Sequence, residues 1–80
     1  MNEKKPYKVM NVENSVRIEV MASTLKQLIE VAREKFSFKE KGILILMLEE
    51  DQTEVQDEFY FQSLDRNTPM IVVIKERLDN

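Results

Sequence analysis

The chain contains no cysteine, no histidine and no tryptophan. Without thiols there is no disulfide framework and no thiolate metal ligand, and without imidazole the commonest general base and nitrogen ligand are missing. Most acid–base and metal-dependent enzyme classes are thereby disfavoured, and no catalytic or metal-ligating residue is assigned. One glycine and two prolines leave no linker-like or low-complexity segment. The longest apolar run, residues 43–48, has six members, far fewer than the ~20 needed by a membrane-spanning helix. With no cleavable signal at its start, the chain is expected in the cytoplasm or nucleus.

Positive charge is scarce in one half only. Residues 1–41 carry nine Lys/Arg and six Asp/Glu (9 − 6 = +3), whereas residues 42–80 carry three and nine (3 − 9 = −6). The net charge of −3 hides this polarity. Halves of opposite sign can neutralise one another within the fold, but on separate faces they make a molecule complementary to its own copies.

What is present suits one small domain. In a chain of 80 residues, 42% apolar and 34% charged, folding buries only roughly 60% of the surface exposed by the unfolded chain. Residues 6–12 and 16–22 read as a strand pair joined by a polar turn at 13–15. In the second strand Val16, Ile18, Val20 and Ala22 alternate with Arg17, Glu19 and Met21. If Tyr7 and Val9 point inward, Lys8 points outward on the side of Arg17. Thr24 followed by Gln27 has the form of a capping box. Leu25, Leu28, Ile29, Ala32 and Phe36 make the apolar stripe of the helix it opens, with Lys26, Glu30, Arg33 and Glu34 toward water.

The helix should end near Phe36, with 37–42 as a loop. The run 43–48 (ILILML) reads as a buried strand. A tight turn at 49–52 returns through a short strand at 53–55; 57–64 suits a short helix, and 70–74 a last buried strand after Pro69. The apolar helix stripe, the methionines and the buried strands are assigned to the core. This order, with the last strand beside the first, is the α+β ubiquitin-like β-grasp roll: a mixed sheet packed on one main helix, plus a short second helix.

Residues 48–65 hold seven carboxylates (Glu49, Glu50, Asp51, Glu54, Asp57, Glu58, Asp65) and no Lys or Arg. A solvated loop is the ordinary reading of such a run. The D-x-D-x-D-G spacing of a calcium loop is absent, and no apolar pocket is apparent that would raise a carboxyl pKa for catalysis. Nucleic-acid binding is disfavoured by the acidic total and by glutamates interleaved among the cations.

Four segments resemble, in order, the CIDE-N (CAD) domains of DNA fragmentation factor subunits, their insect relatives and the lipid-droplet CIDE proteins: KPYKVMNVENSVR, VMASTLKQLI, LMLEEDQTEV and FYFQSLDRNTPMIVVIKE. The resemblance covers residues 4–77, read as a single domain with flexible ends at 1–3 and 78–80. It implies a non-enzymatic, cofactor-free module that binds other CIDE-N domains, its own copies or a partner's, head to tail through oppositely charged faces. Regulation of apoptotic DNA fragmentation is the setting implied, with homo-oligomers or filaments as products. By position, Lys8, Arg17 and Lys26 fall on the basic face, and Glu49, Glu50, Asp51 and Glu58 on the acidic one, to which Glu54 and Asp57 of the same run are added.

The chain departs from the family pattern at Gln52, where glycine is usual, and at Gln56 and Phe59, where acids are usual. Ile18 replaces a second basic residue, and Glu19 adds an acid beside it. Phe59 is expected on the exposed side of the short helix as an aromatic anchor, the alternative being a different helix register that makes it a core residue. The alternatives are a ubiquitin-like adaptor docking on unrelated partners, which would lack a Gly-Gly tail here, and a lipid-droplet assembly domain.

Overall fold

A computed structural model of the chain describes residues 3–13, 15–36 and 42–76. The expected flexible ends, residue 3 apart, lie outside the described residues, as does the loop expected at 37–42 except for Gly42. Four strands, β1 (Lys5–Asn11), β2 (Val16–Ala22), β3 (Gly42–Leu48) and β4 (Pro69–Glu76), form one sheet in the order β2-β1-β4-β3. The helices are α1 (Leu25–Lys35) and the five-residue α2 (Glu58–Gln62).

The β1–β2 hairpin is antiparallel with Lys8 opposite Glu19 and Met10 opposite Arg17, while β4 runs parallel to β1 and antiparallel to β3. This is the expected mixed sheet, with the last strand beside the first. Gly42 proves to be the first residue of β3 rather than part of the preceding loop. The short strand expected at 53–55 reduces to a single bridge between Glu54 and Met47.

Alternation along the strands decides the core. Tyr7, Val9, Val20, Ala22, Leu44, Leu46, Met70 and Val72 are buried on one face with Leu25, Leu28 and Ala32 of α1, and Phe61 and Val55 close the same core. Tyr7 and Phe61 pack with ring centroids 5.0 Å apart, which fixes α2 against the end of β1. Thr24 caps α1 as expected, its side-chain oxygen accepting from the Gln27 backbone N–H at 3.1 Å. The Gln27 side chain reaches back one residue further than a capping box requires, accepting from the Ser23 N–H at 2.7 Å. Arg33, expected in water, is half-buried and donates to the Gly42 carbonyl at 3.3 Å, joining the last turn of α1 to the start of β3.

Two expectations about burial are corrected. A continuous apolar run suggests a strand covered on both faces, yet in β3 only Leu44 and Leu46 are buried, while Ile43, Ile45 and Met47 share the opposite parity and remain partly or largely exposed. Among the described residues the helices lie on one side only, and no second layer covers the outer face of the sheet. For the same reason the methionines are not uniformly core. Met70 is fully buried, whereas Met21 is 48% exposed and Met10 and Met47 are half-buried.

Candidate functional site

The charged residues singled out by the sequence fall into three groups. Lys8 and Arg17 lie on the outer face of the sheet, because their neighbours Tyr7, Val9 and Val20 use the opposite parity to reach the core. Lys8 is exposed, faces Glu19 in the β1–β2 register and has no ion pair among the described residues. Ile18 turns inward against the core, so its place in the sequence leaves no charge at the surface there.

Lys26 belongs to α1, which packs on the inner face of the sheet. With Leu25, Ile29, Glu30, Gln56 and Glu58 it lines a groove of about 360 Å³. The fold therefore separates Lys26 from Lys8 and Arg17 by the sheet and sets it beside acids.

The acidic residues occupy the turn after β3, the strand-like passage that follows it, and α2. Four residues, Glu49 to Gln52, make the turn. The Gln52 N–H donates to the Leu48 carbonyl at 2.9 Å, and the Leu48 N–H donates to the Thr53 carbonyl at 2.9 Å. Closing it requires a left-handed residue, and Gln52 has φ 63°. Glycine adopts that conformation without a Cβ clash, whereas glutamine does so at a cost of about 1 kcal/mol. Glu50 and Asp51 project from this turn into solvent. Asp51 accepts from the Thr53 N–H at 3.0 Å, and hydrogen bonding from Thr53 holds its carboxyl below the usual aspartate range.

Glu49 leaves the turn in another direction. Its carboxylate takes both prongs of the Arg17 guanidinium, Oε2 from Nη1 at 3.0 Å and Oε1 from Nη2 at 2.9 Å, while Nη2 also lies 3.8 Å from the Met10 sulfur. The hydrogen bond from Arg17 lowers the Glu49 pKa, and the same bond raises that of Arg17. A residue expected on the acidic face is thus joined, within one chain, to a residue expected on the basic face.

Two further acids have structural duties. Asp57 is the N-cap of α2, accepting from the Tyr60 N–H at 2.9 Å. Glu58 accepts from the Leu25 N–H at 2.9 Å and from the Gln62 side chain at 2.6 Å, so it satisfies a free donor at the start of α1 from a position 33 residues away. Glu54 accepts from the Gln56 side chain at 2.8 Å. Phe59 points away from all of this and is 86% exposed. Phe61 enters the core, and a residue two positions earlier on a helix is turned about 200° from it.

The surface is therefore a sheet face bearing Lys8 and Arg17, joined at the Arg17–Glu49 pair to an acidic turn, with an acidic helix and an exposed aromatic further on. A family model for the CIDE-N domain matches residues 4–77. The chain belongs to the CIDE-N domain family. Human "Lipid transferase CIDEA" is 37% identical over 75 residues, a match spanning 94% of this chain and 34% of the relative, so the chain covers about a third of that protein's length. The crystal structure of the CIDE-N domain of FSP27 superimposes with a TM-score of 0.78 at 35% identity, covering 89% of this chain and 90% of the other. That of the DREP2 CIDE domain gives 0.82 at 25% identity, covering 96% and 99%. CIDE-N domains are ubiquitin-like interaction domains, and the mixed four-stranded sheet with its two helices is that fold.

The sequence missed the duties of Glu49 and Glu58, because neither the Arg17–Glu49 pair nor the Glu58–Leu25 bond has a local signature. Their partners lie 32 and 33 residues away along the chain. Among the described residues no helix is long and apolar enough to cross a membrane.

Proposed function

We propose that this CIDE-N domain binds other CIDE-N domains head to tail, as a non-enzymatic module of a longer cytoplasmic or nuclear protein that regulates DNA fragmentation. The sheet face with Lys8 is the basic side of the contact, and Glu50, Asp51 and Glu54 are the acids that meet it. The observation that carries this reading is the exposure of both sets on different parts of one surface, with Lys8 free of any ion pair among the described residues. Asp57 and Glu58 contribute negative potential from their capping positions, and Glu49 is held by its own chain's Arg17. Lys26 serves the groove beside α1 and lends its charge only at the margin.

Because the two surfaces differ, the contact is heterologous and propagates into open chains unless its rotation closes a ring. Regulation of DNA fragmentation is the proposed setting of this contact. The name "Lipid transferase CIDEA" carried by the human relative favours a second setting, in which the same contact assembles a lipid-handling protein.

Sedimentation of the purified chain against concentration and salt tests the proposal. Screening shortens from about 8 Å at physiological ionic strength to about 3 Å at 1 M, so assemblies should grow with concentration in dilute salt and dissociate in concentrated salt. A chain that stays monomeric at every concentration, or whose size distribution ignores salt, would overturn charge-paired self-assembly.

A further inference from the structure

The outer face of the sheet carries an apolar patch that the core does not use. Met10, Ile71 and Met47 lie side by side on β1, β4 and β3, and Val73 and Ile45 form the next row. Ile43, 54% exposed, extends the patch along the edge strand. Lys8 stands two residues from Met10 on the same face, so the patch is rimmed by a cation with no ion pair among the described residues. On α2 the reverse arrangement occurs: Phe59 is a single aromatic knob, 86% exposed, with the exposed carboxylates of Glu54 and Asp57 close to it in the chain.

The geometry points to the outer sheet face as the seat for Phe59 of a second copy of this chain, with Lys8 meeting the acids beside the knob. This inference rests on the head-to-tail reading above and names its anchor. Phe59 cannot reach its own patch, because α2 is fixed on the inner side of the sheet by Phe61 against Tyr7 and Phe59 projects from the far side of the helix. The contact must therefore be made between molecules. A purely ionic contact would be thin here, since Glu19 faces Lys8 in register and Arg17 is engaged by Glu49. Exposed ion pairs contribute little by themselves, whereas an aromatic seated in an apolar pocket with a charged rim is the common form of an energetic centre in an interface. The Arg17–Glu49 pair lies over the Met10 end of the patch, so the open seat is Ile45, Val73 and Ile43, with Met47 as its adaptable wall.

The experiment compares the wild-type chain with Phe59→Ser, which loses the knob, and Ile45→Glu, which loses the seat. Ile43→Glu, at the exposed edge, serves as a second seat variant should Ile45→Glu fail to fold by circular dichroism. Each knob or seat variant should weaken self-association about tenfold or more in sedimentation equilibrium. Phe59→Ser mixed with a seat variant should give a one-to-one dimer, because the first keeps a seat and the second keeps a knob. Lys8→Glu and Asp51→Arg, run in parallel, separate this inference from the reading beneath it. If those charge variants disrupt assembly while Phe59→Ser and the seat variants assemble like the wild type, the charged faces stand and the aromatic seat is wrong. Weakening by Phe59→Ser but not by the seat variants, or a mixture that stays monomeric, also overturns the seat. A wild-type chain that never associates overturns both.

Discussion

Arg17 on edge strand β2 and Glu49 just beyond edge strand β3 grip each other over the outer face of the sheet, with both guanidinium prongs within 3.0 Å of a carboxylate oxygen. The two polarities of the surface therefore share a border, and one residue of each is already satisfied inside the monomer.

The first prediction concerns protonation of this pair. Its hydrogen bond holds the Glu49 pKa below the ordinary glutamate value, so the contribution of the pair is complete above that ordinary range and is lost as pH falls through the lower, folded-state value. In an NMR titration Glu49 should titrate below the usual range in the wild type and return to it in Arg17→Ala. An unchanged Glu49 titration in the variant would show that the pair does not persist in solution.

A second prediction follows from the same pair. Because Glu49 is occupied by its own chain, Glu49→Gln should weaken association less than Asp51→Asn does. The opposite ranking, measured by sedimentation under identical salt, would place Glu49 in the contact itself.

The turn offers a stability test. Gln52 holds φ at 63°, a conformation that glycine adopts freely, and the gain is partly offset by the larger unfolded-state entropy of glycine. Gln52→Gly should raise stability by about 0.5 kcal/mol, or about 2–4 °C in Tm for a domain of this size. A lower Tm would mean that the glutamine side chain makes a compensating contact.

Glu58 is expected to matter for folding more than for binding. Its carboxylate caps α1 through the Leu25 N–H, and loss of a helix cap costs about 1 kcal/mol. Chemical denaturation of Glu58→Ala should show that loss, whereas Phe59→Ser, at a largely solvated position, should stay within about 0.5 kcal/mol of the wild type. Equal stability of Glu58→Ala and the wild type would remove the capping role.

Much of the fold was legible because its signals are local. The alternation of Val16 to Ala22 placed Lys8 and Arg17 on one face, and Thr24 with Gln27 marked the start of α1. The spacing of Phe59 and Phe61 gave the exposure of the former. What stayed hidden is non-local. A run such as ILILML has no period to say whether one face or two are covered, and only the absence, among the described residues, of a layer over Ile43, Ile45 and Met47 answers it. The acidic stretch likewise read as one surface, yet its members divide by partners far along the chain: Glu49 is with Arg17 and Glu58 with Leu25, whereas among the described residues the side chains of Glu50, Asp51, Glu54, Asp57 and Asp65 have no partner outside their own segment.

The most direct measurement is to mix two variants that each lack one charged face. Lys8→Glu should abolish the basic side and Asp51→Arg the acidic side, with both folds intact by circular dichroism. Head-to-tail contact predicts that each variant alone is monomeric and that the mixture sediments as a discrete one-to-one dimer, formed by the remaining basic face of one chain and the remaining acidic face of the other. A mixture that stays monomeric while the wild type assembles would contradict the account.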